Sequence, residues 1–187
     1  MLTKFTIRQF SHRPRPFKIA AIDPIFIFHK DFFRKSFQKT FKFTDSCRYF
    51  TFKNQDSWNK LYGFCLGIRG IHRNSFRIVW RYIAETDNIE IAAYYYMNGK
   101  GWEAKHLKFV ELDDEVKCDI RLTSVEGHLR ATFTVLTPSN GAYSQCQADY
   151  ALLSNPRIGF GCGLYFGGRS WAPHNIIIFA SKKTGIR

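Results

Sequence analysis

From about residue 43 to the C-terminus, apolar and polar residues alternate in short runs. The runs Arg48–Phe52, Phe76–Ile83, Ile89–Met97, Leu107–Leu112, Val116–Leu122, Leu129–Leu136, Ala148–Leu153, Ile158–Tyr165 and Asn175–Ala180 show it. A period of two places successive side chains on opposite faces of a β-strand. Turn-forming residues separate the runs, among them Asn98-Gly99, Glu126-Gly127, Pro138-Ser139-Asn140-Gly141 and Gly167-Gly168. Many short strands with such punctuation, and no long helical pattern between them, predict an antiparallel sandwich or barrel rather than a parallel α/β sheet.

The first 42 residues differ. Pro14, Pro16 and Pro24 interrupt a Phe-rich stretch, and Asp31, Phe33, Phe37 and Phe41 fit a short amphipathic helix that gives way to alternation at Phe41-Lys42-Phe43. The sequence therefore divides into a basic N-terminal arm, residues 1–42, and a β domain, residues 43–187.

The most specific pattern is a hairpin. In Ser75–Arg81 one face carries Phe76, Ile78 and Trp80, and the other Ser75, Arg77, Val79 and Arg81. In Glu90–Met97 the split repeats, with Ile91, Ala93, Tyr95 and Met97 against Glu90, Ala92, Tyr94 and Tyr96. Joined through Ala84–Asn88, the two strands would put their apolar faces into the core. Ser75, Arg77, Arg81, Glu90, Tyr94 and Tyr96 would then share the outer face. Arginine there offers bidentate recognition of carboxylate or phosphate, and tyrosine a stacking surface with an acidic hydroxyl. The same residues also suit a plain solvated sheet face with an incidental Arg–Glu pair.

Four short motifs in order carry a family resemblance. Asn59-Lys60-Leu61-Tyr62-Gly63, Ser75-Phe76-Arg77-Ile78-Val79-Trp80-Arg81, the Tyr94-Tyr95-Tyr96 strand and Tyr165-Phe166-Gly167-Gly168-Arg169-Ser170-Trp171-Ala172-Pro173 resemble the core motifs of jelly-roll polysaccharide lyases acting on alginate and glucuronan. They are also similar to those of a group of uncharacterised bacterial proteins of similar size. The resemblance spans about residues 43–182 and implies an all-β, two-sheet antiparallel jelly-roll sandwich of concanavalin-like type. Carried over by position, it implies Lys60, Ser75, Arg77, Tyr94 and Tyr96 as catalytic residues. Arg81, His72 and Glu90 join them as substrate-binding candidates beside the hairpin. Tyr62 and Phe76 stand where the lyases have Pro and Ala.

The implied chemistry is β-elimination at a uronate. A cation must neutralise the carboxylate while a base removes the α-proton and an acid protonates the leaving oxygen. Arg77, with Lys60 or Arg81, suits the first role. A tyrosine serves as base only where nearby positive charge lowers its pKa.

Charge adds a partner class. Of the net charge of +13, residues 1–42 contribute +8: ten Lys/Arg against Asp23 and Asp31. Such asymmetry favours an acidic partner, namely an anionic polysaccharide or, through residues 1–42, RNA or DNA. A structural or assembly module that reuses the fold without chemistry is the third reading. No run of about 18 apolar residues predicts a membrane span. No nucleotide-binding fingerprint, nucleophile elbow or metal-ligand spacing occurs, so no cofactor or metal is expected. The N-terminus lacks the pattern of a secretory signal, and Cys47, Cys65, Cys118, Cys146 and Cys162 are too scattered for a disulfide framework. Free thiols suit a reducing compartment unless a signal has been removed.

Overall fold

The computed structural model describes residues 1–12, 14–15, 26–27, 34–66, 72–97, 99–125, 128–138, 141, 143–151, 158–167, 170–181 and 185–186. Among them the strands are β1 (Leu2–Ile7), β2 (Pro14–Arg15), β3 (Phe26–Ile27), β4 (Arg34–Phe43), β5 (Asn59–Leu66), β6 (Ser75–Ile83) and β7 (Asn88–Tyr96). There follow β8 (Trp102–Val110), β9 (Glu115–Val125), β10 (His128–Leu136), β11 (Tyr143–Ala151), β12 (Ile158–Cys162), β13 (Ile176–Ser181) and β14 (Gly185–Ile186). One sheet runs β11-β10-β9-β4-β13-β1-β2, with β14 also on β4; the other runs β3-β12-β5-β6-β7-β8. This is the two-sheet antiparallel jelly-roll sandwich that the resemblance implies, one of the two architectures that the alternation allows.

Aromatic rings fill the space between the sheets. Phe37 stacks on Phe64 at 4.7 Å, Phe43 lies 5.3 Å from Trp80, and Phe133 meets Tyr95 at 6.1 Å between ring centres. Fully burying such a ring contributes roughly 1.5–3 kcal/mol, a gain made by Phe37, Phe41, Phe43, Phe64, Phe76, Phe133 and Phe166. The hairpin is as expected: β6 and β7 pair in register from Ser75↔Tyr96 to Ile83↔Asn88.

Three expectations are corrected. Arg34–Phe43 is a strand, not the end of a helix; Asp31 and Phe33 lie outside the described residues. A four-residue spacing is also an even spacing, so Phe37, Phe41 and Phe43 share the buried face of a strand. The boundary at residue 42 falls inside this strand, and β1 is likewise in the sheet, against β13. Arg48–Phe52 is a loop, because the side chain of Gln55 takes the place of a neighbouring strand. Its Oε1 accepts from Thr51 N at 2.8 Å and its Nε2 donates to Tyr49 O at 3.0 Å. Asn98, Glu126, Gly127, Ser139, Asn140, Gly168, Leu152 and Leu153, used above for turns and a strand end, lie outside the described residues.

Candidate functional site

The outer face of the six-stranded sheet is where the sequence-predicted residues meet. Inward residues of β6 and β7 enter the core; Arg77, Val79, Ala92 and Tyr94 point the other way and are nonetheless buried. Val79, Ala92 and Tyr94 form a second apolar cluster, over which Trp58, Tyr96 and Ala104 pack. Trp102, 54 % exposed, stacks on Tyr94 at 5.3 Å. The result is an aromatic platform on the outside of the sandwich.

Cations border it. Lys60 Nζ sits 4.8 Å from the centre of the Tyr94 ring and donates to Trp58 O at 2.6 Å. Burial first, and the charge of Arg77 second, lower its pKa from 10.5 to about 8. Arg77 is 6 % exposed and stands between Gly63 on β5 and Tyr94 on β7. Arg81 lies 4.5 Å over the Trp58 ring and donates from Nε to Glu90 Oε2 at 2.7 Å.

Two local irregularities arrange this row. A register shift between Lys60 and Tyr62 makes Leu61 the extra residue on β5. Lys60 and Gly63, three apart, can then both face outward while Leu61 and Tyr62 are buried in the core. A second shift makes Leu107 the extra residue on β8, which brings His106 and Phe109 to the outer face with ring centres 4.6 Å apart. Gly63 also permits close approach: a Cβ there would stand 2.1 Å from Phe76 O and 2.6 Å from Arg77 Cα. At the other edge, Asn59 Nδ2 donates to the Tyr49 hydroxyl and Asn59 Oδ1 accepts from Gly167 N at 2.6 Å. Tyr165 is thereby held against Lys60, exchanging backbone bonds of 2.8 and 2.9 Å.

The predicted residues take unequal places. Lys60, Arg77, Tyr94 and Tyr96 are brought together, and the Tyr94 hydroxyl donates to that of Tyr96 at 3.3 Å. Ser75 shares the face but is fully buried, beneath the platform rather than on it. His72 is exposed and meets Tyr96 edge-on at 5.2 Å. Glu90 has both oxygens occupied, by Arg81 and by His106 Nδ1 at 2.8 Å. Burial and its bond to Tyr96 push the pKa of Tyr94 up, outweighing the smaller opposite pull of Arg77, the reverse of the shift that a base requires.

Trp58, Trp102, His106 and Tyr165 belong to the site and were not singled out for it from the sequence. His106 and Trp102 lie in a strand whose start carries weak alternation, and Trp58 lies between the alternating runs. Beyond Tyr165, His12 stacks on that ring at 5.0 Å and meets Trp171 edge-on. Trp171, Phe10, Phe50 and Phe52 line an open concavity of about 420 Å³. Among the described residues no three His, Cys, Asp or Glu side chains gather as metal ligands, and none of the five cysteines forms a disulfide. No described helix is long and apolar enough to cross a membrane.

No known protein-family model matches this chain, and no curated protein matches it in sequence. Solved structures do match in shape. Alginate lyase A1-II′, a member of polysaccharide lyase family 7, superposes with a TM-score of 0.56 at 9 % identity, over 96 % of this chain and 76 % of its own. An alginate lyase from Alteromonas sp. 272 matches at 0.43 and 9 % identity, covering 82 % and 70 % of the two chains. Peanut lectin matches at 0.43 and 13 %, covering 96 % and 97 %. The likeness to the first of these establishes the jelly-roll fold.

Proposed function

We propose that this protein binds an anionic, uronate-type polysaccharide on the outer platform of its six-stranded sheet and cleaves it by β-elimination. The observation that carries this reading is the pairing of the nearly buried Arg77 with Lys60, whose proton is held loosely, beside stacked aromatic rings. Sugar rings stack on exposed aromatic faces such as Trp102. The Arg77 guanidinium offsets the carboxylate charge that would otherwise oppose removal of the α-proton. Lys60 in its neutral form accepts that proton, a task for which a pKa near the working pH is best. Tyr96, whose hydroxyl accepts from Tyr94, donates its own hydrogen to the sugar. The similarity in fold to an alginate lyase agrees with this substrate class, and the excess of cations in residues 1–42 supplies long-range attraction for a polyanion.

The test is the rise in ultraviolet absorbance from unsaturated uronate ends when the protein meets alginate, glucuronan and related polymers. The parent is expected to produce it, and Arg77→Ala to lower the rate by about 10³-fold, the scale of losing a group that stabilises transition-state charge. A parent protein inactive on the whole panel contradicts elimination; polyuronate affinity that falls with Arg77→Ala would then identify a lectin.

A further inference from the structure

Glu90 and His106 form a unit that the sequence did not announce. Glu90 is 7 % exposed on the outer face of β7, opposite Arg81 on β6 and Phe109 on β8. An ionised carboxylate only accepts hydrogen bonds, so the 2.8 Å contact fixes the imidazole hydrogen on Nδ1 of His106. Arg81 on the second oxygen holds Glu90 in place. The His106 side chain is 47 % exposed, and its Nε2 makes no hydrogen bond with the described residues. A buried carboxylate that orients one imidazole nitrogen and leaves the other to solvent is an arrangement for proton transfer.

Its place on the sheet gives it an object. Register puts Lys60 opposite Val79, Val79 opposite Ala92, and Ala92 opposite His106. Lys60 and His106 are thus the two ends of one transverse row on the outer face, with a small apolar pair between them under Trp58. Three strand spacings separate their backbones, about 14 Å. The partly exposed Trp58 covers that pair, so a ligand reaching both ends of the row lies over its ring.

Building on the elimination reading above, we propose that His106, oriented by Glu90, is the acid that protonates the departing glycosidic oxygen, across the bound sugar from Lys60. The step balances. Neutral Lys60 takes the proton from the carbon α to the carboxylate, and that C–H electron pair becomes the new carbon–carbon double bond. The bond from the β carbon to the glycosidic oxygen breaks, its pair leaves with the oxygen, and the oxygen takes the Nε2 proton of His106, which enters the step as the imidazolium with its Nδ1–H still bonded to Glu90. Solvent then carries one proton from the Lys60 ammonium back to the His106 imidazole. His106 acts on the substrate; Glu90 is a positioning residue that acts through it.

An activated leaving group separates this role from a structural one. Elimination is measured on alginate and glucuronan, and on a uronate bearing 4-nitrophenol as the β-leaving group, whose phenolate is stable without a proton. In parent protein, His106→Gln is expected to lower kcat on the polymers by about 100-fold or more, the range of lost general-acid catalysis, with KM changed less than threefold. On the nitrophenyl substrate the same variant is expected to stay within threefold of the parent. Glu90→Gln, which keeps a side chain able to bond both neighbours, is expected to lose about tenfold on the polymers and little on the activated substrate. Lys60→Met should lose both. An equal loss on the two substrates for His106→Gln, or no loss on the polymers, overturns the assignment while elimination itself stands. A parent without activity on either substrate overturns elimination, and the role of His106 with it.

Discussion

The two sheets of the sandwich present opposite kinds of outer face. On the eight-stranded sheet, burial alternates residue by residue: Val116, Cys118, Ile120 and Leu122 of β9 are buried, while Lys117, Asp119 and Arg121 between them are not. Side chains such as Arg121 and Thr132 stand in solvent or half in it, with both signs of charge present. On the six-stranded sheet, burial is almost continuous from Ser75 to Val79 and from Ile89 to Tyr95. Its outward residues are covered by other side chains, and three of them, Ser75, Arg77 and Glu90, are polar or charged. Burying a charged group costs free energy unless its partners compensate, so buried cations and carboxylates on a sheet's outer face mark a site rather than a surface. The comparison separates a face left to solvent from a face on which polar and charged groups are buried.

The largest effect that sharpens the contrast is steric. Gly63→Ala forces its new methyl group into the backbone of Phe76 and Arg77. It is expected to destabilise the fold by about 3 kcal/mol, the upper range for overpacking. For a domain of this size that lowers Tm by roughly 6–12 °C. A Tm within about 2 °C of the parent would mean that β5 and β6 do not approach so closely.

A pH effect comes next. Folded, Lys60 releases its proton near pH 8; unfolded, it holds the proton to 10.5. Between these values the unfolded chain binds more protons, so stability should rise with pH across that window. Elimination of the nitrophenyl substrate, which needs no acid, should rise through pH 8 as the neutral amine forms. Lys60→Met is expected to flatten its share of the stability rise and to remove the activity limb. Profiles identical to those of the parent would show that Lys60 titrates as an ordinary surface lysine.

The smallest effect is expected on the other sheet. Thr132→Ala and Arg121→Ala should change stability by no more than about 0.5 kcal/mol, as substitutions on a solvated face do, when measured by denaturant unfolding. A loss above about 2 kcal/mol would show that this face, too, is built.

The same contrast explains what the sequence made legible. Strict alternation in Ser75–Arg81 and Glu90–Met97 disclosed the hairpin, its two faces, and Arg77, Tyr94 and Tyr96 as neighbours. Alternation fails where a strand carries an extra residue. The shifts at Leu61 and Leu107 break the period, and His106 reaches the outer face only through the second. Arg34–Phe43 was misread because Phe37 and Phe41 suit both a helical and an even spacing. Gln55, which takes the place of a strand partner for Thr51 and Tyr49, acts through a side-chain bond that no hydrophobic pattern records. The buried state of Glu90 depends on partners from two neighbouring strands, visible only once the strands are in register.

Arm residues enter this picture as well. Deleting residues 1–42 would remove β1 and β4, with Phe37 and Phe41 from the core. Truncation therefore tests folding, and polyanion attraction by this region is better tested by charge substitution.

The account rests on the ligand meeting one outer face and not the other, and affinity measures that directly. Equilibrium binding of a defined oligouronate is to be compared for the parent, Arg77→Ala and Arg121→Ala at 0.15 M ionic strength, where screening acts over about 8 Å. Each variant removes one positive charge, so their long-range effects are alike and only local contact distinguishes them. The expected result is a loss of at least about tenfold for Arg77→Ala, the scale of a charged hydrogen bond, with Arg121→Ala within twofold of the parent. Equal losses, or a larger loss for Arg121→Ala, would contradict the placement of the site on the six-stranded sheet.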